Sequence, residues 1–410
     1  TVTADGNLAG SGVSVGSLTT TGNGDVTATF TGITATNNAL ANIVLDAIAG
    51  GAGAVTVGLT NVVATGSSSA AGIVIGTVGS SDAPLTLSLD TVPASGNAGD
   101  GLQLGDFTAD LAGDVVASFT NIEAGDNGGN GFSLGTLAAT GSGAVTALFQ
   151  TLQTGGNAGN GFSLTGSIGS QTGAVNLTVT DWNATGNGAD GIVFSGVQST
   201  AGDLGIQLSA LAAAANGGSG LAVVLNGGAG AVTTAISDIS AAGNGGAGVS
   251  LTFSDGTVNT LVFNSITSSD NAGNGIEVQG LAGGTLQADL AGILAEGNGG
   301  AGISADLSSS GGDVNITVSD SAANLNLGSG LEISGLSTAA GTVTAAFSNL
   351  QLNQNGTAGL SIGTIATADG SLDVQLTGIG AAQNGADGIA LGLVRSEAGD
   401  VTVTAQGNIW

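Results

Sequence analysis

A glycine followed by an apolar residue returns along this chain at an almost constant interval. From Gly12 to Gly388 the anchors lie 27 to 30 residues apart, with Asn42 in the one place where the glycine is missing. The chain is therefore fourteen copies of a unit averaging 29 residues, and a fixed period of this size decides the architecture before any single residue does. Identical units of this length close a core only by stacking on one another.

Each anchor opens a short alternating run, as in "GLQL", "GFSL" and "GIEV", where residues of one face are apolar. Alternation with a period of two is the mark of a strand with one buried face. A variable turn follows, and then a second alternating run, as in "VTATF", "VVASF" and "VTAAF". Next come "TGI", "TNI" or "TDW", with a small residue two places further on, such as Ala35, Ala94, Ala124 or Ala184, which predicts a third, tighter side. With 78 glycines spread through 410 residues, no ten-residue helix survives. The expected fold is all-β: a right-handed, three-sided parallel β-helix of about fourteen coils, forming one domain over residues 1–410. The right hand follows from the strong preference of parallel crossovers.

The recurring N-x-x-x-G pattern with alternating apolar residues, seen as "NAGDGLQL", "NGADGIVF" and "NAGNGIEV", resembles the right-handed parallel β-helix repeats of pectate-lyase-like enzymes and bacterial surface adhesins. The resemblance runs the length of the chain. It implies a fold rather than an activity.

Four places before the anchor stands a column of asparagines: Asn38, Asn97, Asn127, Asn157, Asn187, Asn216, Asn244, Asn271, Asn298, Asn326, Asn355 and Asn384. Ser68 replaces one member, and Asn7 lies one place out of step. Stacked amides hydrogen-bond along a ladder, and Asn and Gly accept the left-handed backbone of tight turns. A residue needed in every coil is structural, because an active site is needed once. The G-x-G-x-x-G string "GNGADG" at 186–191 is read the same way, since the helix N-terminus and cations that hold a phosphate are missing.

Composition narrows the function. The net charge is −28, with 29 acidic residues against the single basic Arg395, which argues against nucleic acid and anionic membranes as partners. There is no Cys and no His, so only oxygen ligands are available to a metal. No cofactor is expected, apart from a calcium ion that Asp25 and Asp400 would share where two molecules stack. Long apolar spans are absent, so no membrane insertion is expected. The Gly-, Thr-, Ser- and Asn-rich composition suits an exported surface protein, and the lack of Met even at position 1 suits a processed chain or a fragment.

Pectate-lyase-like chemistry uses a cationic base, and Arg395 stands alone in "LVRSEAG"; no insertion is long enough to wall a cleft for a carboxylate pair. The sequence thus speaks against an enzyme. Outward threonines such as Thr27, Thr29 and Thr31 suggest an ice-binding array, but Val116, Asp289 and Ala346 interrupt it. The leading expectation is a structural subunit of an extracellular filament or surface sheath, with copies of the chain stacking head to tail. Thr1, Val2 and Phe30 would meet Ala405, Asn408, Ile409 and Trp410 at the seam, the last three forming a clasp. The alternative is the shaft of a larger surface adhesin, ahead of a polysaccharide-active or ice-binding β-helix.

Overall fold

A computed structural model describes residues 2–407. Every element among them is a strand, there is no helix, and the strands pair in parallel. The chain is a parallel β-solenoid of about fourteen turns, as the anchor spacing requires. Its contacts divide it into two units, Thr1–Gly205 and Ile206–Trp410.

In the first unit, one sheet collects the strands that follow the anchors: Val13–Thr19 pairs with Ile43–Gly50, which pairs with Ile73–Ser80. The other collects the second runs, Val26–Thr36, Val55–Thr65, Leu85–Pro93, Val115–Glu123, Val145–Gln153 and Val175–Asn183. Each of these second strands bends at a residue with left-handed backbone, among them Asn61 (φ 51°), Asn121 (φ 54°) and Asp181 (φ 54°). The bend resets the alternation: Val55, Val57 and Leu59 point inward before Asn61, and Val62 and Ala64 after it. This corner opens the third side, where Ala35, Ala94, Ala124 and Ala184 are fully buried.

The segment read from sequence as a variable turn contains more order than expected. In Ile43–Gly50 the residues Ile43 and Leu45 point inward, the phase slips at Asp46 and Ala47, and Ile48 and Gly50 point inward again. The neighbouring strands slip at the same place, Val15 and Ser17 pairing with Leu45 and Ala47, so the register is kept there; a bulge, which adds a residue to one strand, arises only where a slipped strand meets an unslipped one. Such a bulge explains part of the variation in period. In the second unit, Ile303–Ser309 alternates without a break and its coil has 28 residues, Gly302 to Gly330; the next strand, Leu331–Thr338, carries the extra residue and its coil has 29, Gly330 to Gly359.

The core of the first unit is aromatic. Phe119 and Phe149 stack at 4.8 Å, Phe149 and Trp182 at 5.6 Å, and Phe132 meets Phe162 edge-on at 5.3 Å. Trp182 is buried, and its indole N–H donates to Thr154 Oγ1 at 2.9 Å, so burial leaves no orphaned donor. The second unit repeats the scheme with Val232–Ala242, Val258–Ser269, Thr285–Ala291, Val314–Ala322, Val343–Gln351, Leu372–Gly380 and Val401–Gln406 in one sheet.

Candidate assembly faces

The asparagine column forms a directional ladder. In the first unit, the backbone N–H and Nδ2 of Asn97 donate to Asn127 Oδ1 at 2.9 and 3.1 Å, and Asn127 and Asn157 repeat the pattern toward Asn157 and Asn187. In the second, the same pairs of bonds run through Asn216, Asn244, Asn271, Asn298, Asn326, Asn355 and Asn384. Most rungs are almost fully buried. The residue before each rung is left-handed, for example Asp126 at φ 56° and Gly186 at φ 69°.

The ladder also accounts for the anchor glycines. A Cβ placed on Gly131 would lie 2.7 Å from Asn157 Nδ2, and one on Gly101 or Gly161 would lie 2.8 Å from the next coil's amide. Each glycine clears space for the asparagine of the coil above it. Where the glycine is replaced by Asn42, the asparagine above is replaced too. The structure puts Ser67, not Ser68, in that rung: Ser67 follows left-handed Gly66, and its N–H donates to Asn97 Oδ1 at 2.9 Å. Asn42 then spans the gap, accepting from Asn38 Nδ2 at 2.7 Å and donating to Asn97 Oδ1 at 3.2 Å. Asn7, out of step in the sequence, is in step in space, since it follows left-handed Gly6 and donates to Asn38 Oδ1 through its N–H at 3.1 Å and its Nδ2 at 2.6 Å.

Among the described residues, two faces of the solenoid are open. On one, Val401 and Val403 are each 46% exposed and Ala405 is exposed, although their register partners Leu372, Val374 and Leu376 are buried. On the other, Val2 is 54% exposed and Phe30 half-buried, while Leu59, the register partner of Phe30, is fully buried. The edge of Val26–Thr31 that faces away from Val55–Thr60 is unpaired among the described residues. Thr1, Asn408, Ile409 and Trp410 lie outside the described residues, and with them the clasp.

The open strand Val2–Asp5 is held to Ile33–Thr36 partly through Asp5. Thr36 Oγ1 and Asn37 Nδ2 donate to Asp5 Oδ1 at 2.8 and 3.1 Å, and these bonds hold its carboxyl below the ordinary value of 3.8. A lowered folded-state pKa favours the charged form in the fold. Its contribution is therefore complete above 3.8 and is lost as the pH falls through the lowered value. Acidification below 3.8 is expected to speed amide exchange across Val2–Asp5 in the native chain more than in Asp5→Asn, read by hydrogen exchange at matched intrinsic rates. Equal acid sensitivity of the two proteins would contradict this.

Acidic turn residues elsewhere cap backbone. Asp25 Oδ1 accepts from Ala54 N–H at 2.9 Å, and Asp114 does the same for Ala144 at 2.7 Å. Asp400 is exposed in the second unit. A groove of about 430 Å³ on the first unit is lined by Asp100, Gln103, Asp106, Asn130, Ser133 and Thr165. Its carboxylates are engaged: Asp100 accepts from Asn130 N–H and Ser133 Oγ, both at 2.7 Å, and Asp106 from Thr136 N–H at 3.0 Å. No group of three or more carboxylates that would hold a metal occurs among the described residues. No helix there is long and apolar enough to cross a membrane.

No protein-family model matches the chain, and no curated protein is similar to it in sequence. A solved structure is similar. It is the A-module of the mannuronan C-5 epimerase AlgE6 of Azotobacter vinelandii, 15% identical, covering 88% of this chain and 91% of that one with a TM-score of 0.40. This match corrects the expectation that the chain is not an enzyme, because a chain it aligns with over most of its length is an enzyme module by name. The grounds for that expectation were also too narrow. A missing cationic base excludes one chemistry only, and the groove at Asp100 and Asp106 exists without any long insertion. At this identity and TM-score the likeness assigns no activity and carries no further argument.

Proposed function

We propose that the chain is a structural subunit of an extracellular filament or surface sheath, built by head-to-tail stacking of β-solenoids. The observation that carries this reading is the exposed row Val401, Val403 and Ala405, which continues the register of buried Leu372, Val374 and Leu376 and presents a strand edge that is unpaired among the described residues. Such edges pair with another strand or are blunted by charge, proline or a covering element. No charge or proline lies within Val401–Gln406. A contact between unlike faces does not close on itself and propagates as a fibre. The outer surface, acidic and nearly free of basic residues, suits a polymer that stays dispersed.

The second reading is the shaft of a larger surface adhesin, in which further coils of the same chain cover these faces. Negative-stain electron microscopy of the purified chain at rising concentration is expected to show unbranched fibres. Monomers alone at every concentration would overturn the filament reading. Intact mass of the natural protein separates the two readings, since a mass near 38.2 kDa fits the subunit and a much larger one fits the shaft.

A further inference from the structure

The two open faces are complementary in register as well as in apolarity. Within the second unit each rung uses its backbone N–H and Nδ2 on the next Oδ1, as Asn355 does toward Asn384 at 2.9 and 3.1 Å. Asn384 donates its Nδ2 to Leu352 O at 2.9 Å, but its N–H has no acceptor among the described residues. On the other face Asn7 donates twice to Asn38 Oδ1, and its own Oδ1 accepts nothing among the described residues. One face lacks an acceptor at the rung where the other has one to offer.

The strands agree with the ladder. Val401–Gln406 runs beside Leu372–Thr377, so Gly407 (φ 62°) falls opposite the corner Gly378 (φ 64°). The residue after a corner points inward and begins the third side, as Ile379 does. On the other face, Val2 lies opposite Ile33, the residue after the corner Gly32 (φ 64°), so Val2–Asp5 is a third-side strand whose coil has no second strand among the described residues. Asn7 stands five places after Val2, and Asn384 five places after Ile379.

We infer that the partner of each open face is a second copy of this chain, and that one coil at every seam is shared between two copies. This rests on the filament reading above. The first copy supplies Ile389–Ser396, Val401–Gln406 and the corner Gly407, and the second supplies Val2–Asp5 as the third side. Val401, Val403 and Ala405 then lie on Val26, Ala28 and Phe30 of the following copy, and the donors of Asn384 meet its Asn7 Oδ1. Strand pairing and ladder both pass through the seam without a change of step. A slip of one residue would turn the apolar row outward, so the register is specified rather than approximate.

The chain contains no cysteine, which makes the register directly testable. In the inferred seam Thr404 of one copy faces Thr29 of the next on the outer surface, at the Cα separation of neighbouring strands that a disulfide tolerates. Purified Thr29→Cys/Thr404→Cys chain, assembled and then oxidised, is expected to give a ladder of covalent multimers on a non-reducing gel. The ladder should be lost in either single variant and much reduced in Thr27→Cys/Thr404→Cys, whose partners are diagonal neighbours. Fibres by microscopy without a ladder, or a stronger ladder from the offset pair, would overturn the shared coil and leave the filament reading standing. The absence of fibres and ladder alike would overturn both.

Discussion

Replacing Phe149 by alanine is expected to lower the stability of the unit Thr1–Gly205 by about 3–5 kcal/mol, the range for emptying a buried phenylalanine site. Phe149 is the centre of the aromatic core. Its ring lies 4.8 Å from Phe119, 5.4 Å from Phe162, 5.6 Å from Trp182 and 5.7 Å from Phe194. These rings come from consecutive coils and from both sheets, so truncation removes contacts above, below and across the solenoid at once. Ring pairs of this geometry add to the effect of area alone. A stacked array cannot collapse onto the cavity without shortening a strand spacing fixed by backbone hydrogen bonds. Urea unfolding followed by far-ultraviolet circular dichroism measures the loss, and a change below about 1 kcal/mol would show that the rings do not act as one core.

The repeat was legible because its signals are column-wise. The anchor glycines, the apolar residues after them and the asparagines four places before recur at one interval, and a period reports a fold more reliably than any local propensity. The third side at Ala94 and Ala124 was likewise visible. What stays hidden depends on single-residue geometry. The phase slip at Asp46 and Ala47 leaves no mark in composition, since a slip changes the face a residue occupies rather than its type. Counting back from Gly72 puts the rung at Ser68 because it assumes a turn of constant length, and the turn after Ser67 is one residue longer. Asn7 falls out of step in the sequence for the same reason. The charge and cysteine counts bound partners and metals, but the lone cation Arg395 and the absence of a long insertion do not bear on enzymatic activity at large, which depends on a local arrangement of groups that neither describes.

Gly131→Ala is expected to destabilise the same unit by about 1–3 kcal/mol through overpacking. The φ of Gly131 is not left-handed, so conformational freedom is not the cause. The added Cβ would lie 2.5 Å from Ala124 O, 2.6 Å from Gly161 O and 2.7 Å from Asn157 Nδ2, and two of those three atoms are backbone held in the ladder of strands. The protein already contains the paired exception, Asn42 beneath Ser67, where a side chain at the anchor is matched by a shortened side chain in the rung above. Glycine and asparagine are therefore one unit of design spread over two coils, and their substitutions should not add. In a double-mutant cycle, Gly131→Asn with Asn157→Ser is expected to cost less than the sum of the two single changes, because the amide introduced at the anchor can take over the vacated bonds to Asn127 and Asn187. Additivity within about 0.5 kcal/mol would mean that the backbone carbonyls alone enforce the glycine and that the coupling to the ladder is incidental.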